Sequence, residues 1–212
     1  MRSIEPLARY CALVLETNER FNLTGAKNSD ELAGHVIDSL TLLPFIRAPL
    51  IDVGSGAGLP AIPLAIVTGI NVTLVEATRK KAHFLARVVE TFELRAEVVP
   101  LRAEAAARDE RLRERFASGT ARALALAPVV LELLLPFLRV GGLAVVQRGK
   151  MDERERSALE DAATMLGGAV EGEHLLANER RIVLVRKAQP TPGRFPRRTG
   201  VPEKRPLCYP RG

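Results

Sequence analysis

Residues 50–60 read LIDVGSGAGLP: an apolar run interrupted by Asp52, glycines at positions 54, 56 and 58, and then Pro60. Such a run meeting glycine at once predicts a short buried strand entering a tight turn, and a proline at the first turn of the next segment predicts a helix. Glycine removes the Cβ atoms that would hold a ligand away from the backbone, while a helix start leaves N–H groups without intrahelical partners. The stretch therefore predicts a strand–loop–helix unit that meets a ligand through its main chain.

The pattern continues outward in both directions. Helical periodicity at 60–67 and 80–92 alternates with strand-like runs at 72–75 and 96–99. A highly charged helix is expected at about 104–116, a fourth strand near 119–124, an apolar helix at 128–138 that Pro136 ends early, and a fifth strand at 143–146. Two further runs, 171–176 and 181–185, flank Ala177-Asn178-Glu179-Arg180, a spacing short enough for a hairpin and hence for an antiparallel closing strand. Upstream, helix-period apolar residues at 6–19 and 29–45 flank a turn-like Asn22-Leu23-Thr24-Gly25. That order predicts an α/β fold with a mostly parallel, doubly wound sheet. It divides the chain into an N-terminal helical extension at 1–47, a Rossmann-like domain at 48–188 and a basic segment at 189–212 whose six prolines predict that it is not helical.

The 212 residues are 47% hydrophobic and 26% charged, an ordinary globular balance. The 23-residue run at 53–75 carries no charged side chain, but its glycines, prolines and polar residues read as strand, turn and helix instead of a membrane span. Cys11 and Cys208 form neither a disulfide framework nor a CxxC pair, which points to a reducing, cytoplasmic setting. The net charge of +6 is concentrated: residues 186–212 hold eight basic side chains against Glu203, leaving the preceding 185 residues at −1. A near-neutral body with a basic end suits a polyanion such as nucleic acid; a tail that only aids solubility has the same composition.

The loop is selective about its ligand. A dinucleotide fingerprint, GxGxxG, needs a glycine where this chain has Leu59, so NAD is disfavoured. Asp52 with the GxGxG spacing suits S-adenosylmethionine, which has no pyrophosphate to cradle, and Gly54 and Gly56 are its candidate main-chain contacts. Glu76 falls at the end of the second strand, where a carboxylate can accept both hydroxyls of a ribose. The histidines at 35, 83 and 174 are scattered and no metal-ligand spacing is visible; His35, inside HVIDSL, is the one worth testing.

Seven segments occur in a characteristic order: NLTG (22–25), HVIDSL (35–40), DVGSGAGLPAIPLA (52–65), VEATRKKAHFL (75–85), RAE (102–104), ARA (121–123) and PRRTGVPEKRPL (196–207). Together they resemble the bacterial ribosomal RNA small subunit methyltransferase G family, also called glucose-inhibited division protein B. The resemblance implies a Rossmann-like class I S-adenosylmethionine-dependent methyltransferase that methylates N7 of a guanine in 16S ribosomal RNA, acting as a monomer. It also implies cofactor contacts at Gly54, Leu59, Ala103, Glu104 and Arg122. Arg122 is the candidate catalytic residue; its planar donors suit the cofactor carboxylate, the target guanine or a phosphate.

For RNA, Arg197, Arg198, Lys204 and Arg205 match the family's basic terminal signature, and Arg148 stands where the family usually has lysine; Lys80 and Lys81 extend the patch. The chain departs from the family ahead of ARA, where Phe116-Ala117-Ser118-Gly119-Thr120 replaces an acidic and β-branched run, so an altered fourth strand is expected. Two other functions share these residues: methylation of a small molecule or protein, and a non-catalytic RNA-binding role in ribosome assembly.

Overall fold

The computed structural model describes residues 4–122, 124–176 and 179–209. Ala123 of the ARA motif, Ala177 and Asn178 of the hairpin turn, and residues 1–3 and 210–212 of the two terminal segments lie outside the described residues.

Seven strands form one sheet in the order β3-β2-β1-β4-β5-β7-β6. Strands β1 (Leu50–Val53), β2 (Val72–Val75), β3 (Ala96–Val99), β4 (Phe116–Arg122) and β5 (Leu138–Arg148) run parallel, and β7 (Arg181–Lys187) lies antiparallel between β5 and β6 (Gly168–Leu175). All four residues of β1 and of β2 are buried, because helices cover both faces of the sheet. The strand order reverses between β1 and β4, which opens a crevice beyond their carboxyl ends where α/β proteins bind ligands.

One face carries α1 (Glu5–Asn18), α2 (Ser29–Leu40), α3 (Ala61–Thr68) and α4 (Arg79–Thr91). Asn28 caps α2 by accepting from the Glu31 N–H, while the Glu31 carboxylate accepts from the Lys27 N–H. Gly69 ends α3 in the left-handed region at φ 69°, its N–H reaching the Ala65 carbonyl. The extension also braces the glycine loop: fully buried Tyr10 on α1 donates its hydroxyl to the Ala57 carbonyl at 2.8 Å.

The opposite face carries α6 (Ala127–Leu134), buried at every position, with α7 (Glu153–Met165) packed on it. A 3-10 turn at Leu135–Phe137 ends the α6 segment at Pro136, as the sequence predicts. Asp152 starts α7 by accepting from the Glu155 N–H.

Three expectations need correction. The charged stretch expected as a helix at 104–116 holds only one helical turn, α5 (Ala103–Ala106). Two of its four arginines are tethers instead: Arg108 donates to the Pro196 carbonyl at 2.7 Å, and Arg113 to those of Phe195 and Thr191. The fourth strand is not altered, for β4 is complete and its first six residues are buried. Its small residues match its neighbours, since a Cβ at Gly119 would come within 2.8 Å of Leu134 Cδ1, and Ser118 Oγ accepts from the Arg47 N–H. The proline-rich end does contain a helix, the single turn α8 (Val201–Lys204).

The basic end docks on the body. Lys187, 1% exposed, donates to the Leu135 carbonyl and to Thr191 Oγ1 and faces Glu114 at 3.4 Å. Arg197 forms a two-pronged pair with fully buried Glu132, through Nε at 2.9 Å and Nη2 at 2.6 Å, and its N–H donates to the same carboxylate. Arg197→Ala would leave that carboxylate buried without its counter-ion, a loss of about 3–5 kcal/mol. The expected outcome is a thermal midpoint lowered by about 6–20 °C, read by circular dichroism; an unchanged midpoint would show that the pair holds nothing.

Candidate functional site

The crevice between the carboxyl ends of β1 and β4 is a cavity of about 400 Å³. Its floor is the loop after β1, where Gly54, Gly56 and Gly58 take φ values of 72°, 55° and 98°. Only glycine adopts these without strain. A Cβ at Gly56 would meet nothing closer than 3.8 Å, so the missing side chain leaves open space above the backbone.

The loop is held by its own hydrogen bonds. The N–H groups of Gly54 and Ser55 donate to the Val75 carbonyl, and that of Gly56 donates to Glu76 Oε2 at 2.9 Å. Glu76 Oε1 accepts from the Thr78 N–H at 2.7 Å. Each carboxylate oxygen keeps a second acceptor site, and the side chain borders the cavity.

Asp52 lies beneath the loop, 1% exposed. It stands opposite Thr120 in the β1–β4 register, and Thr120 donates its hydroxyl to Asp52 Oδ1 at 2.7 Å. Oδ2 is buried without any partner among the described residues. Burial pushes the carboxyl up to about 7, against the opposing effect of the Thr120 and Ser55 hydrogen bonds.

Arg122 ends β4 and forms part of the cavity's wall. Its Nη1 donates to the His35 carbonyl at 3.1 Å and its Nη2 meets His35 Nδ1 at 2.8 Å. Burial, reinforced by the Arg122 charge, lowers the imidazole below its usual value. The ring is therefore neutral near pH 7, with Nδ1 able to accept from the guanidinium.

The structure brings together Gly54, Gly56, Glu76, Ala103, Glu104 and Arg122 around this one cavity. Leu59 is not among its lining residues; its side chain packs in the core under α1 to α4. Glu104 Oε1 accepts from the Gly200 N–H at 2.8 Å, which draws Pro202 and Glu203 of the basic end into the rim.

The RNA candidates divide. Arg197 is committed to Glu132, and Arg148 to Glu155 and the Ala125 carbonyl, so neither offers a free guanidinium to RNA as expected. Arg198, Lys204 and Arg205 are exposed near the rim and make no ion pair among the described residues. Lys81 lies at the cavity itself and Lys80 is exposed beside it. Sequence reasoning did not assign Asp38 or Gln147, which flank Arg122 from α2 and β5. A signal existed for the first: His35 and Asp38 are three apart on one helix, and so share a face.

The profile of the family described as rRNA small subunit methyltransferase G (GidB) matches residues 3–183. The chain belongs to this family. Among its relatives, Ribosomal RNA small subunit methyltransferase G of Rubrobacter xylanophilus is 43% identical over 211 residues, covering 92% of this chain and 81% of that one. The protein of the same name from Chloroflexus aggregans is also 43% identical, covering 94% and 88%. Solved structures share the fold at low identity: the [4+2]-cyclase SpnF at TM-score 0.63 and 13% identity, covering 86% of this chain and 94% of that one. A mutant of MtNAS in complex with S-adenosylmethionine follows at 0.58 and 18%, covering 87% and 76%. Membership of the family makes this chain a methyltransferase on a Rossmann-like fold.

The buried carboxyl makes a prediction about stability. Asp52 holds its proton up to about pH 7 when folded, against an ordinary value of 3.8, so the folded state binds more protons across that window. Its contribution to stability is then favourable at pH 4 and declines as pH rises to 7, by up to about 4 kcal/mol as an upper bound. Denaturant titrations at about pH 4.5 and 7.5 should show wild type losing stability relative to Asp52→Asn over this interval. Parallel curves for the two proteins would contradict the assignment.

Proposed function

We propose that this chain transfers the methyl group of S-adenosylmethionine to N7 of a guanine in 16S ribosomal RNA, working as a cytoplasmic monomer. The observation that carries the cofactor is the cavity over the glycine loop, with the backbone of Gly54 and Gly56 at its floor and Glu76 and Arg122 on its walls. The open space above Gly56, where a Cβ would meet nothing closer than 3.8 Å, lets the methionine part of the cofactor approach the backbone. Glu76 would take the ribose hydroxyls, and the Ala103-Glu104 segment would bracket adenine. Leu101, Leu124, Val129 and Leu133 give the cavity the apolar walls an adenosine needs.

Bound S-adenosylmethionine supplies an electrophilic methyl on a positively charged sulfur. The guanine N7 lone pair forms the new bond to that carbon as the carbon–sulfur bond breaks, its electron pair going to sulfur. Charge passes from the sulfonium to the purine, and no proton leaves N7. The protein therefore needs no general base at that atom; its task is alignment and exclusion of water. Neutral His35 holds the Arg122 guanidinium at the cavity wall, so a fixed donor is available to substrate without rearrangement.

The small-subunit rRNA named for the relatives is the substrate class that the exposed Arg198, Lys204 and Arg205 suit, because Lys204 and Arg205 line a groove that shares Glu203 with the cofactor cavity and Arg198 is exposed on the same segment. Labelled methyl transfer to naked 16S rRNA, to 30S particles and to an unrelated RNA, followed by mapping of the base, tests the proposal. Label at a single guanine N7 of the 16S molecule is expected; label on a small molecule or protein alone, or none at all, would overturn it. Replacing Arg198, Lys204 and Arg205 together by alanine should reduce the slope of log affinity for RNA against log salt by about 2–3 and leave cofactor affinity unchanged. An unaltered slope would remove these side chains from the RNA contact.

A further inference from the structure

Beside the cofactor cavity, and sharing Arg122 with it, is a second cavity of about 230 Å³. Buried polar groups in folded proteins nearly always have hydrogen-bond partners, so exceptions carry information. Among the described residues four buried side-chain atoms have none: Asp52 Oδ2, Gln147 Oε1, Arg148 Nε and Arg181 Nε. The first underlies the glycine loop. The other three belong to residues that line this second cavity.

Gln147 decides what the cavity would accept. It is 9% exposed, and its amide nitrogen donates to the Asp38 carbonyl at 2.8 Å. That bond identifies the unpartnered atom as the amide oxygen, an acceptor lacking a donor. The Asp38 side chain adds a second acceptor at the same wall. Its Oδ2 pairs with Arg180 and stands 3.9 Å from Arg122, and a carboxylate has about four lone-pair sites, more than these two arginines fill. Arg122, Arg148 and Arg181 surround the two acceptor groups with guanidiniums.

Two acceptors set among donors match one base better than the rest. The Watson–Crick edge of guanine presents N1–H and the 2-amino group side by side, next to the O6 acceptor. Adenine presents a lone pair at N1 and would set it against the carboxylate. Enzymes that act on a base commonly extrude it and read this edge in a pocket.

We propose that this cavity receives the target guanine, with Asp38 and Gln147 reading its Watson–Crick edge and so setting base specificity. The inference rests on the guanine-N7 reading above. It gives Asp38 a further effect: as positive charge moves onto the purine, N1–H becomes a stronger donor, and its bond to the carboxylate strengthens toward the transition state. Arg122, on the wall common to both cavities, then sets the orientation of the base relative to the methyl group.

The test uses GMP, IMP and AMP as probes, titrated into the full chain by NMR with the cofactor cavity filled by S-adenosylhomocysteine. IMP differs from GMP only in lacking the 2-amino group. Wild type is expected to bind GMP at least about tenfold more tightly than IMP or AMP. Gln147→Leu, which removes the acceptor for the 2-amino group, should bring GMP to the level of IMP; Asp38→Asn should weaken GMP and IMP alike, since both carry N1–H, and leave AMP no weaker. A purely structural role for Asp38, through its pair with Arg180, would weaken all three nucleotides alike and overturn the proposal. Equal binding of GMP and IMP by a wild-type protein that does methylate 16S rRNA would overturn it and leave the function standing. Selective GMP binding without methyl transfer would support the pocket while removing the proposed reaction.

Discussion

An open glycine loop has to be prevented from collapsing, and most of the structure around it serves that end. Glycines at three alternate positions, all at positive φ, leave the loop few side chains with which to hold itself. Its support is borrowed from three directions. The end of β2 receives Gly54 and Ser55 N–H groups on the Val75 carbonyl, and Glu76 takes the N–H of Gly56. The N-terminal extension reaches across the outside of the loop with the Tyr10 hydroxyl on the Ala57 carbonyl. From below, β4 fixes Asp52 through Thr120. The helical preface is thereby part of the site, for without α1 the Ala57 carbonyl would lose its buried donor.

The basic C-terminal segment is also part of the site, and its charge is divided between two tasks. Lys187 and Arg197 point inward to Glu114 and Glu132 and fasten the segment to the body, with Arg108 and Arg113 securing its carbonyls. Arg198, Lys204 and Arg205 remain exposed. Because Pro202 and Glu203 form part of the cofactor cavity's rim, a polyanion held by the outward set would lie directly against that rim. The anchoring and contacting arginines differ by one residue, 197 against 198, so net charge along the chain does not separate them.

Elements with a period were legible in the sequence: the strands at 72–75 and 96–99, the Pro136 stop and the closing antiparallel pair all come from local pattern. What failed depended on distant partners. The charge-rich stretch after Glu104 has the composition of a solvated helix face, yet Arg108 bonds a carbonyl 88 residues away. Helix α7 gives little periodic signal because much of its buried face is alanine, at 158, 162 and 163. Strand β4 reads as weak because its small residues fit the close approach of Leu134, a constraint that belongs to α6 and not to the strand. Of the site, the loop glycines and Glu76 follow from chemistry at fixed spacing, and Ala103, Glu104 and Arg122 from the family resemblance. Gln147 and Asp38 do not, since 109 residues separate them and their juxtaposition exists only in the folded sheet.

The position of Arg122 shows why these pieces work as one device. Methyl transfer needs donor and acceptor in line, and any looseness between them lowers the fraction of productive encounters. A long side chain on an open surface would supply charge but little constraint. Here the guanidinium is held by both the ring and the carbonyl of His35, and it borders both cavities. His35 belongs to α2, which also carries Asp38, while the backbone of Arg122 continues β4 from Thr120 and its bond to Asp52. The groups assigned to cofactor and base are thus joined through one strand and one helix, so their relative placement is set by packing that exists before either ligand arrives.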